Sequence, residues 1–130
     1  MSKVFDSSAV LAFLYDEPGA AKVRPNLPEG IISAVNAAEV LAVLLRNGVP
    51  LEDAHTVLRK TRLKVIEFSL AGALKTAEIL SWQTRGHGLS LGDRACMATA
   101  LLLQLPVVTA ERNWVSLRVP DLQIELIRGS

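Results

Sequence analysis

The chain has 130 residues, half of them hydrophobic and 21% charged, with 14 basic against 13 acidic side chains and a net charge of +1. That length predicts one domain over residues 1–130, and so high an apolar share excludes a disordered segment. The near-neutral balance excludes bulk attraction to nucleic acid, so such a partner needs a local basic surface; Cys96, the single cysteine, excludes an internal disulfide and a thiol-based zinc site.

In chain order the sequence alternates short apolar runs with helical patterns. Lys3-Val4-Phe5 is a run ending at Asp6, and Ser7 or Ser8 starts a helix through Tyr15. Pro18 opens a second short helix to about Val23. Ile31-Ile32 predicts a buried strand, after which Ser33 resembles a cap for a helix over about residues 35–47, stopped by Gly48 and Pro50. Leu51 to Arg62 places Leu51, Ala54, Val57 and Leu58 on one helical face. Leu63 to Phe68 predicts a strand, Ser69 to Arg85 a long helix ended by Gly86-His87-Gly88, and Ser90 to Gln104 another helix. Pro106 to Thr109 and Leu122 to Ile127 are the last strands. Short, unalternating strands separated by helices indicate an α/β fold, a three-layer α/β/α sandwich around a parallel sheet of about five strands.

In open parallel sheets ligands gather at the carboxyl ends of the strands, near the reversal of strand order. Asp6 follows the first strand directly, and Glu111 lies two residues beyond the strand that Thr109 ends. Glu39 and Asp93 belong to helices that open on the same edge, in their first turns. Asp93 has a simpler explanation in the helix dipole and Asp6 in helix capping. Glu39 sits among Ala37, Ala38, Val40 and Leu41, where a carboxylate needs either a partner such as Arg94 or a site to face. Unit charges about 5 Å apart repel by roughly 3 kcal/mol at an effective dielectric near 20. Four converging acids therefore call for cations, and an all-oxygen ligand set favours Mg²⁺ or Mn²⁺. Such an ion can hold a phosphodiester and lower the pKa of bound water, which is nuclease chemistry.

The same residues carry a family resemblance. Val4-Phe5-Asp6-Ser7-Ser8-Ala9 with Asp16-Glu17-Pro18-Gly19 resembles the opening of PIN-domain proteins, especially VapC toxins. Ser33-Ala34-Val35-Asn36-Ala37-Ala38-Glu39-Val40 is similar to their second motif, Leu89 to Ala98 to the third, and Val107 to Trp114 to the fourth. The match runs from about Val4 to Ile127, and four segments in order are far more specific than any one. The resemblance implies Mg²⁺-dependent cleavage of RNA, often transfer or ribosomal RNA, inhibition by a small VapB-like antitoxin, and a homodimer. Asp6, Glu39 and Asp93 fall on the family's acidic positions. Glu111 stands where the family usually has Asp, which puts a second metal in doubt. Ser8 and Thr109 would be secondary hydroxyls near the metal.

Arg94 and Arg112, each one residue after a proposed acid, are candidates for substrate phosphate contact or for pairing with those acids. Arg59-Lys60-Thr61-Arg62-Leu63-Lys64 is the densest basic stretch, a solvated face or an RNA contact. His55 and His87 are expected to be structural or surface residues, Trp82 and Trp114 packing residues, and Cys96 buried and inert. No apolar run reaches the roughly 18 residues of a membrane span, and MSKVFDSS lacks a signal-peptide pattern, so a cytoplasmic setting is expected. Two other functions compete with a metal-dependent endoribonuclease. One is a catalytically weakened binding module of the same fold. The other is a phosphotransfer protein using Asp6 as nucleophile, although haloacid-dehalogenase-like enzymes need an Asp where Ser8 stands.

Overall fold

A computed structural model describes residues 2–80 and 88–129. Strand β1 is Val4–Phe5, followed by helices α1 (Ser7–Leu14) and α2 (Ala20–Val23). Strand β2 (Ile31–Ser33) leads into α3 (Ala34–Arg46) and α4 (Leu51–Lys60). Strand β3 (Lys64–Ile66), helices α5 (Leu70–Ile79) and α6 (Leu91–Leu103), and strands β4 (Val107–Thr109) and β5 (Ile124–Leu126) complete the order. The strands form one sheet in the order β3-β2-β1-β4-β5, with every pair parallel. This is the expected three-layer α/β/α arrangement.

The layers follow from the pleat, which sends neighbouring side chains to opposite faces. Phe5 and Val108 join Val10, Val40 and Ala54 from α1, α3 and α4 in one core. Val4 and Val107 face the other way and pack with Ile79 of α5 and with Cys96 and Met97 of α6. Both residues of β1 and all three of β4 are buried, so the central strands need no polar alternation. Trp114 is buried in the second core as a packing residue, while His55 lies exposed on α4.

Several elements differ from their sequence-based bounds. Helix α2 starts at Ala20 because Gly19 takes a left-handed backbone, φ +98°, where a Cβ would also strike Ile127. Leu51 does not share the buried face of Ala54 and Leu58 but is 61% exposed, being the first residue of α4. Strand β3 is short and largely exposed because it lies at the sheet's edge, covered less than the central strands. Helix α5 ends at Ile79 instead of Arg85; residues 81–87, with the expected Trp82, Gly86 and His87, lie outside the described residues.

Because all five strands are parallel, their carboxyl ends share one edge of the sheet. The chain builds outward from β1 through β2 to β3, then crosses back to lay β4 and β5 on the other side. The strand order thus reverses between β1 and β4, where a crevice opens in sheets of this kind. Asp6 ends one wall of that crevice and Thr109 the other.

Candidate metal centre

Asp6 is the N-terminal cap residue of α1, yet its carboxylate makes no capping hydrogen bond, so the simple capping explanation does not apply. Instead Oδ2 accepts the Ser8 hydroxyl at 2.6 Å and the Thr109 hydroxyl at 2.9 Å. Those hydroxyls are themselves held, Ser8 accepting from the Ala110 amide and Thr109 from the Glu111 amide. The turn after β4 therefore fixes the carboxylate that follows β1. Asp6 is only 2% exposed, and burial pushes its pKa up from 3.8 to about 7. The two hydroxyls oppose that rise, whereas the negative charges of Asp93 and Glu39 add to it.

Glu39 lies in the second turn of α3, not the first, because the helix starts at Ala34. Its Oε1 accepts the Ser7 hydroxyl at 3.0 Å and the Asn36 side-chain amide at 2.9 Å. Arg94 does not neutralise it. The Arg94 guanidinium reaches instead for the Thr76 carbonyl on α5 at 3.5 Å, and its Nε is buried without a partner. The reason is helical geometry, since residue 94 points about 100° round α6 from Asp93.

Asp93 stands in the first turn of α6 and forms a reciprocal capping box with Ser90: its Oδ2 accepts the Ser90 amide at 2.9 Å, and its own amide donates to the Ser90 hydroxyl. A local structural role is thus present, but it occupies one oxygen only. Gly92, beside it, has no room for a side chain, because a Cβ there would overlap the Glu39 carboxylate. Glu39 and the first turn of α6 are in contact through that missing methyl.

The three acids share a pattern. In each, the protein's donors converge on a single oxygen: Oδ2 of Asp6, Oε1 of Glu39 and Oδ2 of Asp93. The second oxygen of each accepts from no described residue. Among the described residues no group of three or more Asp, Glu, His or Cys side chains is arranged to hold a metal ion, although Asp93 and Glu39 lie near enough for their charges to act on Asp6. The oxygen-only chemistry of these acids suits a hard cation that keeps several waters and takes one or two carboxylates, such as Mg²⁺.

Glu111 is exposed and caps the short turn Arg112–Ser116 through its backbone, with no side-chain capping bond. The Arg112 guanidinium lies over Gly129, where a Cβ would collide with it. The basic run from Arg59 to Lys64 ends α4 and enters β3, placing it at the amino edge of the sheet, opposite the acids. Cys96 is fully buried one turn beyond Asp93, and burial pushes its thiol well up, which leaves it unreactive.

The sequence alone placed none of Ser7, Asn36 and Gly92 beside the acids, Ser7 being expected only as a helix start. The available signal was Asn36 itself, a polar residue three positions after the Ser33 cap and three before Glu39, on an otherwise apolar helix.

The pattern of the PIN domain family matches residues 3–119, and the chain belongs to that family. No curated protein matches the sequence closely enough to count as a relative. Solved structures do share the fold. DNA-bound VapBC from Salmonella typhimurium is similar with a TM-score of 0.75 and 21% identity over 98% of this chain and 100% of that one. VapBC2 from Rickettsia felis, bound to a DNA fragment from their promoter, gives 0.74 and 18% over 97% and 98%. A toxin–antitoxin complex from Klebsiella pneumoniae gives 0.70 and 18% over 92% and 94%.

Proposed function

We propose that the chain is a divalent-metal-dependent endoribonuclease and the toxin of a toxin–antitoxin pair. The observation that carries this reading is the set of half-used carboxylates at the crevice between β1 and β4. Hydroxyl, amide and backbone donors hold one oxygen of Asp6, Glu39 and Asp93 and leave the other without a described donor. Carboxylates that ligate a cation are oriented by hydrogen bonds of this kind.

In this reading Asp6, Glu39 and Asp93 hold Mg²⁺ or Mn²⁺, and Glu111 approaches from the exposed rim of the crevice. A cation held there supplies charge stabilisation for the scissile phosphate and acidifies its bound water. Ser8 and Thr109 keep Asp6 turned toward the cation. Arg112 meets the substrate from the open side, while Arg94 supports the α5–α6 packing beneath. The substrate is RNA, of the transfer or ribosomal class, and the inhibitor is a VapB-like antitoxin. The toxin–antitoxin complexes among the structurally similar proteins support that partner. A homodimer is proposed from the family resemblance, and the exposed leucines of α5 suit it.

The test is RNA cleavage by the purified, antitoxin-free chain in Mg²⁺, Mn²⁺ or EDTA, beside Asp6→Asn. Metal-dependent cleavage that the variant loses by at least about a hundredfold is the expected result, as befits loss of a group acting on the transition state. Intact RNA under every metal condition, from folded wild-type protein, would favour the binding-module alternative.

A further inference from the structure

We infer that Asn36 is the positioning residue of this site, a fixed clip that joins α3 to α6 and thereby sets the Glu39 carboxylate against the Asp93 end of α6. The inference rests on the metal-site reading above. Asn36 is fully buried, and its side chain uses both of its donor hydrogens and accepts one bond at Oδ1. Oδ1 accepts the Ser33 hydroxyl, while the two Nδ2 hydrogens go to Glu39 Oε1 at 2.9 Å and to the Gly92 carbonyl at 3.0 Å. Its backbone amide donates to the same Ser33 hydroxyl at 3.1 Å.

Each bond removes a degree of freedom. The Ser33 pair locks the Asn36 rotamer to the start of α3. The amide, so locked, can reach Glu39 only in the rotamer that places Oε1 beside it and leaves Oε2 undonated. The second hydrogen ties that arrangement to Gly92, the residue immediately before Asp93. Two acids 54 positions apart in sequence are thus connected by one amide group, Glu39–Asn36–Gly92. Gly92 completes the clip, because only a residue without Cβ lets Glu39 lie so close to α6. A buried amide kept merely for packing would need no carboxylate among its partners.

The expected consequence is that Asn36 contributes to cation binding through Glu39 and through nothing else. A double-mutant cycle reads this directly. Mn²⁺ affinity is measured by calorimetry on wild type, Asn36→Ala, Glu39→Ala and the double variant, each first checked for its melting transition. Asn36→Ala should weaken Mn²⁺ binding about tenfold or more, the usual effect of losing a partner behind a ligand. In the Glu39→Ala background the same change should cost almost nothing. An equal loss in both backgrounds would overturn the inference. If Asn36→Ala fails to fold, Asn36→Ser, too short to span both acceptors, takes its place in the cycle.

A second readout stands apart from the metal. In wild-type protein the two Asn36 side-chain amide hydrogens should give separate, slowly exchanging NMR signals, and Glu39→Ala should release one of them while the one bound to Gly92 stays protected. Two fast-exchanging hydrogens in the wild type would reject the clip whatever the protein binds. Protected hydrogens in a protein that binds no Mn²⁺ would uphold the clip and reject the metal-site reading instead.

Discussion

Asp6 concentrates the physics of this protein in one side chain. It is buried at a point where two other carboxylates add their field, and its pKa is pushed up to about 7. Between about pH 4 and pH 7 the folded chain therefore holds a proton that the unfolded chain has released. The sign follows: stability is greatest below that window and falls as pH rises through it, by about 1.4 kcal/mol per pH unit at most. Chemical denaturation in EDTA should show this loss for wild type and a flatter profile for Asp6→Asn, which cannot ionise. Mg²⁺ should restore stability to wild type at pH 8 and do little for the variant. Equal pH profiles for the two proteins would mean that Asp6 is not desolvated as described. The sequence singled out Asp6, Glu39 and Asp93 by their places after a strand or in helices opening on the same edge, and the structure brings them near enough for Asp93 and Glu39 to act on Asp6. Of their partners, Ser8 and Thr109 were expected as hydroxyls near the acids, and Asn36 left a local signal three residues before Glu39. Ser7, by contrast, meets Glu39 only once β1 and β2 align, and the direction of Arg94 depends on which side of α6 faces α5.

Among the elements, α6 shows how a helix start can serve two purposes. Ser90 and Asp93 cap it with each other, a local device worth about 1 kcal/mol. The residue between, Gly92, is poor for a helix but required by the approach of Glu39. Alanine there gains up to about 1 kcal/mol in helix propensity yet places a methyl in the Glu39 carboxylate. Gly92→Ala should therefore lower RNA cleavage by about tenfold or more, the scale of a disturbed ligand support, while circular dichroism stays native. Undiminished activity would show that Glu39 has room to move without cost. Helix and strand identities were readable from apolar periodicity over most of the chain. What the periodicity did not convey was the sheet edge: Leu63 to Phe68 predicted a strand, and β3 has a neighbour on one side only. The left-handed Gly19 likewise shortened α2 through a contact with Ile127, more than a hundred residues later.

At the scale of the whole molecule, the two faces of the sheet are covered and its carboxyl edge carries the acids. Yet α5 presents Leu70 and Leu74, 75% and 64% exposed, one turn apart. Each leucine withdrawn from water contributes about 1.5–3 kcal/mol, so this face is a strong place for the proposed homodimer. Leu74→Lys should shift sedimentation from dimer to monomer at micromolar concentration, leaving the melting transition of the monomer near wild type. Unchanged sedimentation would move the dimer contact elsewhere.

The most direct measurement is crystallographic. Crystals grown with Mn²⁺ and recorded at its absorption edge locate the ion by its anomalous signal. The account predicts a peak in the crevice between β1 and β4, about 2–2.6 Å from the open oxygen of Asp6 and bonded directly or through water to Glu39 and Asp93. A peak bound elsewhere, or none at millimolar Mn²⁺ with the crevice open to solvent, would contradict it.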